Sequence, residues 1–281
     1  MSAAADVWAL PPQPLRLQRP VWRLQLRGPD ALRVLHGQTT QALLDAQAGE
    51  RRPTCWVTAT ARLRALAEVE VHSEGADLLV SAGDGQQVHQ GLDRVLFPAD
   101  QVRLSAVEPL HWHALVEPAG PDGGAGWGLP GRQWLLPEAA PLPPELEAVP
   151  LADPARHTWL RLRQGIPAAG AELSEAFNPL ELGLRDRLSF EKGCYLGQET
   201  LAKLHANDGV KQQLRRFYAP EGVEPPAPGT QLLDASGERA ALVTSLQDRY
   251  GLLLLRRRCW DQAELAGLQL SLPAAAVFDS H

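Results

Sequence analysis

EKGCYLGQET, residues 191–200, is the stretch that decides the fold of this 281-residue chain. Gly193 and Gly197 allow a backbone turn that residues with a β-carbon would resist. The apolar residues that accompany the turn recur at helical spacing, at Leu196, Leu201 and Leu204. Asn207-Asp208-Gly209 is a typical helix end. The pattern therefore predicts a glycine-flanked turn that holds Cys194, followed by a short helix.

Cys194 occupies a position at which a thiolate is favoured. The N-terminal end of a helix and the neighbouring Lys192 both stabilise an anion, and the thiolate is the reactive form of cysteine. Glu199 acts in the opposite direction, because it adds a second negative charge in the first helical turn. The alternative is a cysteine that serves only as a small apolar side chain. The turn thus predicts a functional thiol with Lys192 as its partner, without naming a reaction.

The motif KGCYLGQE, residues 192–199, resembles the signature of the YgfZ-type folate-binding proteins. These proteins are relatives of the aminomethyltransferase (T-protein) of the glycine cleavage system. Weaker similarity extends over Leu24–Asp45, Arg163–Pro167 and Asn178–Glu181, as far as Gln213. The continuation ETLAKLHANDGVKQQL is similar to the cyanobacterial and plastid branch of the family.

The resemblance implies a fold, a cofactor and a function. The implied fold class is α+β, with a T-protein-like folate-binding α/β region and a C-terminal antiparallel β-barrel. The implied cofactor is tetrahydrofolate or a derivative. The implied function is to support iron–sulfur cluster assembly or repair in client enzymes, including tRNA-modifying enzymes. Partners would be folate and iron–sulfur client or assembly proteins, with no direct binding of nucleic acid or membrane.

The resemblance also assigns roles to residues of this chain. Cys194 would be the acting thiol, and Lys192 would favour its thiolate. The rest of the motif would hold the turn and join it to the helix, through Gly193, Tyr195, Gly197, Gln198 and Glu199. Folate contacts would come from Trp22, Trp159 and Arg163. Arg163 stands closest to the place where the T-protein has an acidic folate ligand, in a segment that is two residues shorter here.

A folate-dependent one-carbon transferase is the first alternative, and a binding module with a structural Cys194 is the second. The T-protein carries a catalytic aspartate in a G-G-I-x-D-D segment, which corresponds to Ala61–Leu66. Ala65 and Leu66 stand at the two aspartate positions. Because an iminium-like transition state needs an anion for charge stabilisation, the sequence argues against aminomethyl transfer by the T-protein mechanism.

Composition and cysteine spacing argue against several classes of binding site. The net charge of −6 argues against general binding to nucleic acid. The three cysteines are far apart, so neither a disulfide framework nor a thiolate zinc site is expected. His111 and His113 share a strand face but have no acidic or thiol neighbour in sequence, so no metal site is predicted. Without a signal-peptide pattern or a run of transmembrane length, the sequence predicts a cytoplasmic protein.

The pattern of strands and helices predicts three segments. Residues 1–117 read β-α-β-β-β-α-β, an α+β arrangement of split-βαβ character, and would form the first folate-binding subdomain. Residues 118–206 would form a Pro- and Gly-rich connector and a second folate-binding subdomain that carries the motif. Residues 207–281 contain short strands separated by turns, which is typical of a small antiparallel barrel. A second short helix is also expected from Thr39 or Thr40 to Leu44.

Overall fold

A computed structural model describes residues 6–120 and 126–279, and these residues form two compact units. The first unit comprises the described residues up to Arg19, His111–Ile166 and Lys211–Ala276. The second unit comprises Pro20–Leu110, Pro167–Val210 and the described residues from Val277 onwards. The three consecutive domains expected from the sequence stay a prediction. Residues 1–5, and residues 121–125 of the predicted connector, lie outside the described residues.

The regular elements are numbered in chain order. The strands are β1 (Leu15–Arg27), β2 (Arg51–Val57), β3 (Leu63–His72), β4 (Gly75–Ala82), β5 (Arg103–Leu104), β6 (Glu108–Val116), β7 (Gly131–Pro137), β8 (Gln212–Tyr218), β9 (Gln231–Leu233), β10 (Arg239–Gln247), β11 (Tyr250–Arg256), β12 (Glu264–Leu265) and β13 (Leu268–Ser271). The α-helices are α1 (Ala31–Gln38), α2 (Gly85–Asp93), α3 (Pro144–Glu147), α4 (Pro154–Gln164) and α5 (Gln198–Ala206). No helix in the described part of the chain is long and apolar enough to cross a membrane.

The second unit is built on an antiparallel sheet in the order β2-β3-β4-β1, with β5 paired to the end of β1. Helices α1 and α2 follow β1 and β4 in the chain, so the predicted β-α-β-β-β-α-β order is confirmed. The strict alternation in β3 explains the packing, since successive side chains of a strand point to opposite faces. Ala65, Val69 and Val71 join a core cluster that also contains Leu35 of α1 and Leu92 of α2.

The first unit contains a second antiparallel sheet, in the order β12-β13-β8-β11-β10-β9, which curls into a half-barrel. Its core gathers Phe217 of β8, Val243 of β10 and Leu253 of β11. The predicted fold class is therefore confirmed. Helix α4 also lies in this unit, and it is capped as its sequence indicates. Asp153 accepts a hydrogen bond from the Arg156 amide, and Gly165 ends the helix in the left-handed conformation at φ 74°.

The predicted second helix from Thr39 or Thr40 to Leu44 is wrong, since these residues form bends and turns. The amides of Thr40 and Gln41 both donate to Thr54 Oγ1 on β2, each over 3.1 Å. The Thr40 hydroxyl donates to the Arg187 carbonyl over 2.7 Å. In a helix the Leu43 amide would donate to the Thr39 carbonyl, but here that carbonyl accepts from Lys192 and the Leu43 amide donates to His36 Nδ1.

Candidate functional site

Cys194 lies in an exposed turn of the second unit, immediately before α5. The helix begins at Gln198, with Gly197 as its N-cap in the left-handed conformation at φ 83°. Leu196 was expected on the apolar face of this helix, but it precedes the helix and is 37% exposed. Leu201, within the helix, is fully buried. The thiol stands three residues before the N-cap, so the first turn of the helix does not include it.

The two glycines of the turn have different structural roles. Gly197 needs its positive φ, and a β-carbon there would lie 2.7 Å from the Thr58 carbonyl oxygen and 3.2 Å from the α-carbon of Ala61. Gly193 is outside the positive-φ region, and a β-carbon there would meet nothing within 4 Å. The motif is thus packed tightly against the turn between β2 and β3 at Gly197, and it is open to solvent at Gly193.

Lys192 is buried, and its ammonium points to the end of α1. Its Nζ donates to the carbonyl oxygens of Thr39 at 2.6 Å and Gln41 at 2.9 Å, and also to that of His36. Nζ also lies 4.3 Å from the centroid of the Tyr195 ring, a cation–π contact. Burial acts to lower the pKa of Lys192, to about 7, whereas the three carbonyl oxygens around Nζ favour its ammonium form. An ammonium has three N–H donors, so backbone carbonyls take all of them. The predicted effect of Lys192 on the thiolate stays a prediction.

His36 belongs to the same surroundings as Lys192. Its Nδ1 accepts a hydrogen bond from the Leu43 amide over 3.1 Å. Its pKa is lowered, first by burial and then by the charge of Lys192. An imidazole whose Nδ1 accepts a hydrogen bond is neutral and carries its proton on Nε2, so His36 adds no second cation beside the ammonium.

Tyr195 forms the inner wall of the turn. It is 7% exposed, and its hydroxyl has no hydrogen-bond partner among the described residues. Burial raises the pKa of Tyr195 to about 12, so the phenol stays protonated. The residue therefore contributes its ring face, against which the Lys192 ammonium packs, rather than a polar contact.

Gln198 and Glu199 lie in the first turn of α5. The Gln198 side-chain amide donates to the Lys192 carbonyl over 3.2 Å, which joins the helix to the start of the motif. Glu199 points to solvent and pairs with Lys203 one turn later, over 2.6 Å. The hydrogen bond from Lys203 lowers the pKa of Glu199. Glu199 is therefore an exposed anion that is partly balanced by its neighbour.

The other two thiols are buried. Burial raises the pKa of Cys55 on β2 to about 12, and it also raises that of Cys259. Cys194 is the exposed one of the three free cysteines. Within residues 6–120 and 126–279, no group of three or more His, Cys, Asp or Glu side chains is arranged to hold a metal ion. Cys194 is therefore the thiol that solvent and other molecules can reach.

The three predicted folate contacts do not fall in one unit. Trp22 belongs to the second unit, where it packs against the core. It also contacts Gly85, where an added β-carbon would lie 2.5 Å from the Trp22 side chain. Trp159 and Arg163 both lie on α4 in the first unit. Arg163 Nε donates to the Trp8 carbonyl over 2.7 Å, and its Nη1 donates to Gln164 Oε1. The guanidinium therefore already joins α4 to the N-terminal segment.

Trp159 is part of an aromatic cluster in the first unit. Trp8 stacks on it with ring centroids 6.0 Å apart, and Tyr250 meets both rings edge-on. A cavity of about 340 Å³ lies beside the cluster. Its lining includes Val7, Asp153, Arg156, Trp159, Gln247 and Tyr250. The sequence identified Trp159, but it offered no signal for Trp8 or Tyr250, which come from distant stretches of the chain.

A larger cavity, of about 810 Å³, lies in the second unit. It is lined in part by Arg27, His72, Glu74 and Asp100, and it contains no predicted site residue. Arg27 is paired with Asp77 over 2.6 Å, and Asp100 with Arg33 over the same distance. Since its charges are of both signs and largely paired, this cavity indicates no particular ligand.

Sequence reasoning missed the segment 36–41, which binds the motif. Lys192 donates to three of its carbonyls, and the Leu196 amide donates to that of Gly37 over 3.3 Å. Backbone carbonyls carry no sequence signature. The available signal was indirect, because the last carbonyls of a helix need donors and a lysine or arginine often supplies them.

Comparison with known proteins identifies relatives of this chain. No family model matches it. It is 30% identical to the human mitochondrial iron–sulfur cluster assembly factor IBA57 over 271 residues, which is 83% of this chain and 74% of IBA57. It is also 30% identical to the chloroplastic protein At1g60990 of Arabidopsis thaliana, over 68% of this chain. The matched region spans about half of that relative, 53% of its length.

The fold matches that of a solved structure, the glycine cleavage system aminomethyltransferase T from Bartonella henselae. The TM-score is 0.73 at 16% sequence identity, over 95% of this chain and 88% of the other. The chain belongs to the T-protein superfamily.

The resemblance matches Ala65 and Leu66 to the catalytic aspartates of the T-protein, and neither residue carries a carboxylate. Ala65 and Leu66 lie on β3, and both are buried, at 0% and 2% exposed. Ala65 belongs to the core of the second unit. The strand thus supplies packing at this place, where an aminomethyltransferase of the T-protein type would need an anion.

Proposed function

We propose that this protein binds tetrahydrofolate and supports the assembly or repair of iron–sulfur clusters in client enzymes, with Cys194 as the acting thiol. Within the superfamily we assign it to the YgfZ type. We further propose that its partners are iron–sulfur client or assembly proteins, among them tRNA-modifying enzymes, and that it works in the cytoplasm. The relationship to IBA57, whose name describes an iron–sulfur cluster assembly factor, supports the proposal.

The exposed Cys194 carries the proposal. It is held by a turn that is anchored on both sides, by Lys192 before it and by Gly197 after it. Cys55 and Cys259 are buried. A thiol that must meet a cluster on another protein has to be accessible, and it has to lose its proton to become a ligand of iron. The chain supplies one such thiol, so an iron–sulfur cluster handled there would be substrate shared with other ligands.

The folate part of the proposal rests on the aromatic cluster of the first unit. Trp159 and Tyr250 line the cavity of about 340 Å³, whose volume suits a flat ring rather than a whole folate. We propose that the pteridine ring packs there against the indole of Trp159. Arg163 is engaged with Trp8, so it would act by holding the N-terminal segment in place.

A folate titration tests this part. Tetrahydrofolate should quench the tryptophan fluorescence with a dissociation constant between about 1 μM and 1 mM, a usual metabolite range. Trp159→Phe should weaken binding by about tenfold or more, whereas Trp134→Phe, on β7 in the same unit, should leave it unchanged. No saturable quenching and no heat of binding over that range would contradict the folate assignment.

A complementation experiment tests the thiol. Cys194→Ala should fail to restore the activity of iron–sulfur enzymes in a strain that lacks the corresponding protein, while its melting temperature shifts by only about 1–3 °C, because a small exposed side chain contributes little. Cys259→Ala is the control: it should complement if it folds. Limited iodoacetamide labelling near neutral pH should modify Cys194 first. Full complementation by Cys194→Ala would show that the thiol is dispensable.

The shared fold with an aminomethyltransferase supports the one-carbon transferase alternative. It requires turnover of an aminomethyl-loaded lipoyl carrier protein with tetrahydrofolate. We expect no release of ammonia above the rate without protein, because Ala65 and Leu66 supply no anion. Release at an enzyme-like rate would favour the transferase. A pure binding module would instead show folate binding together with full complementation by Cys194→Ala.

A further inference from the structure

Several hydrogen bonds to backbone carbonyls join the segments 36–41 and 186–196. The Ser189 amide donates to the Thr40 carbonyl over 2.9 Å, and the Gln41 side-chain amide donates to the Asp186 carbonyl over the same distance. Together with the bonds from Thr40, Lys192 and Leu196 described above, these contacts join the two segments along their whole length. The motif is thus bound to the segment that follows α1, rather than lying loosely on the surface.

Lys192 is the charged group at the centre of this contact. Its Nζ meets three carbonyl oxygens that converge from the end of α1 and the residues beyond it. The C-terminal end of a helix is its negative pole, and its last carbonyls lack partners within the helix. The face of the Tyr195 ring closes the cage from the motif side. An ammonium with three donors fits these acceptors, while a neutral side chain would leave them buried without donors.

The position of Cys194 depends on its neighbours rather than on contacts of its own. Its side chain is exposed, and the preceding Gly193 has open space around it. The first anchored group before the thiol is the ammonium of Lys192. The first anchored groups after it are the buried ring of Tyr195 and the Leu196 amide, which donates to the Gly37 carbonyl. Removing either anchor would leave the thiol on a longer, freer loop.

We propose that Lys192 is a positioning residue: its ammonium, held by the three carbonyls, fixes the turn that presents Cys194. This inference rests on the proposed role of Cys194 and replaces direct activation of the thiol by Lys192. The two roles have different consequences. Direct activation depends on charge alone, so any cation at this place would serve. Positioning depends on the fit of three convergent donors, which a planar guanidinium does not reproduce.

Three variants distinguish positioning by Lys192 from direct activation of the thiol. Lys192→Met keeps an unbranched side chain of similar length and removes the ammonium. Lys192→Arg keeps the charge and changes the donor geometry, and it remains informative if the methionine variant does not fold. Lys203→Met is the matched control, since Lys203 is an exposed lysine on α5 that pairs with Glu199. All three proteins would be studied as full-length chains.

Two readouts separate the roles. Hydrogen exchange reports whether the amides of Leu196 and Gln198 stay protected, since they donate to the Gly37 and Tyr195 carbonyls. The pH profile of iodoacetamide labelling at Cys194 reports any electrostatic effect on the thiol. For Lys192→Met and Lys192→Arg we expect protection at Leu196 and Gln198 to fall by about tenfold or more, because a charge-assisted hydrogen bond is worth at least that factor. The midpoint of the labelling profile should not move.

The proposal also predicts a functional result. Both Lys192 variants should complement poorly although the amides of β8 and β11 keep their protection, and Lys203→Met should match the wild type in every assay. A shifted labelling midpoint with unchanged exchange would show direct activation and overturn the proposal. Unchanged hydrogen exchange together with unchanged labelling would also overturn the proposal, and so would full complementation by Lys192→Arg. Failure of the proposed function is recognised separately, by full complementation of Cys194→Ala.

Discussion

Gly193 and Gly197 look equivalent in the motif, and alanine substitutions separate their roles. At Gly197 the backbone adopts φ 83°, and an added β-carbon would lie 2.7 Å from the Thr58 carbonyl oxygen and 3.1 Å from a methyl group of Val57. At Gly193 the backbone is outside the positive-φ region, and the β-carbon would meet nothing within 4 Å. We expect Gly197→Ala to destabilise the protein strongly and Gly193→Ala to be almost neutral.

The size of the effect at Gly197 has two parts. Holding a residue with a β-carbon in the left-handed conformation costs about 1–2 kcal/mol. The approach to the Thr58 carbonyl requires a backbone shift, which in a packed site costs about 1–3 kcal/mol. The free energy of unfolding should therefore fall by roughly 2–5 kcal/mol. Gly193→Ala removes freedom from the unfolded chain, so it should change stability by no more than about 0.5 kcal/mol or raise it slightly.

Urea denaturation followed by fluorescence, together with the melting temperature, measures both variants. At about 2–4 °C per kcal/mol for a chain of this size, Gly197→Ala should melt roughly 5–15 °C below the wild type. Gly193→Ala should melt within about 2 °C of it. The reasoning would be refuted by Gly197→Ala melting within 2 °C of wild type, or by Gly193→Ala losing as much stability as Gly197→Ala.

Two further predictions concern buried polar groups. Tyr195→Phe should leave the melting temperature unchanged or raise it, because the hydroxyl has no partner among the described residues and the ring that faces Lys192 is kept. A melting temperature several degrees lower would show that the hydroxyl has a partner. His113 is 4% exposed, and burial lowers its pKa to about 4, below the ordinary 6.5. The unfolded chain then takes up a proton at a higher pH than the folded chain, so protonation of His113 favours unfolding. The free energy of unfolding should therefore fall by about 3 kcal/mol as the pH falls from 6.5 to 4, and it should change little above pH 6.5. His113→Phe should flatten that part of the stability profile measured by urea denaturation, and an unchanged slope would contradict the assignment.

Local patterns in the sequence were sufficient for most of the fold. The strand over Leu63–His72 follows from the apolar side chains that alternate along its buried face, although Leu66 on the other face is buried as well. The bounds of α4 follow from Asp153 and Gly165, whose cap interactions reach only a few residues along the chain. The motif itself carries the turn before α5 and the resemblance to the T-protein superfamily. Each of these features depends on neighbouring residues, so sequence alone could determine it.

Tertiary contacts decided the features that local patterns could not. The helix expected after Thr39 is absent because the Thr39 carbonyl and the Leu43 amide, which would bond to each other in a helix, bond instead to Lys192 and His36. Of two glycines in one motif, only Gly197 has a positive φ and lies where a β-carbon would meet distant backbone. Lys192 lies beside the cysteine in sequence, yet its three donors bind carbonyls some 150 residues earlier in the chain. A carbonyl cage has no sequence signature, since every residue carries the same acceptor, and only the folded chain brings those acceptors together.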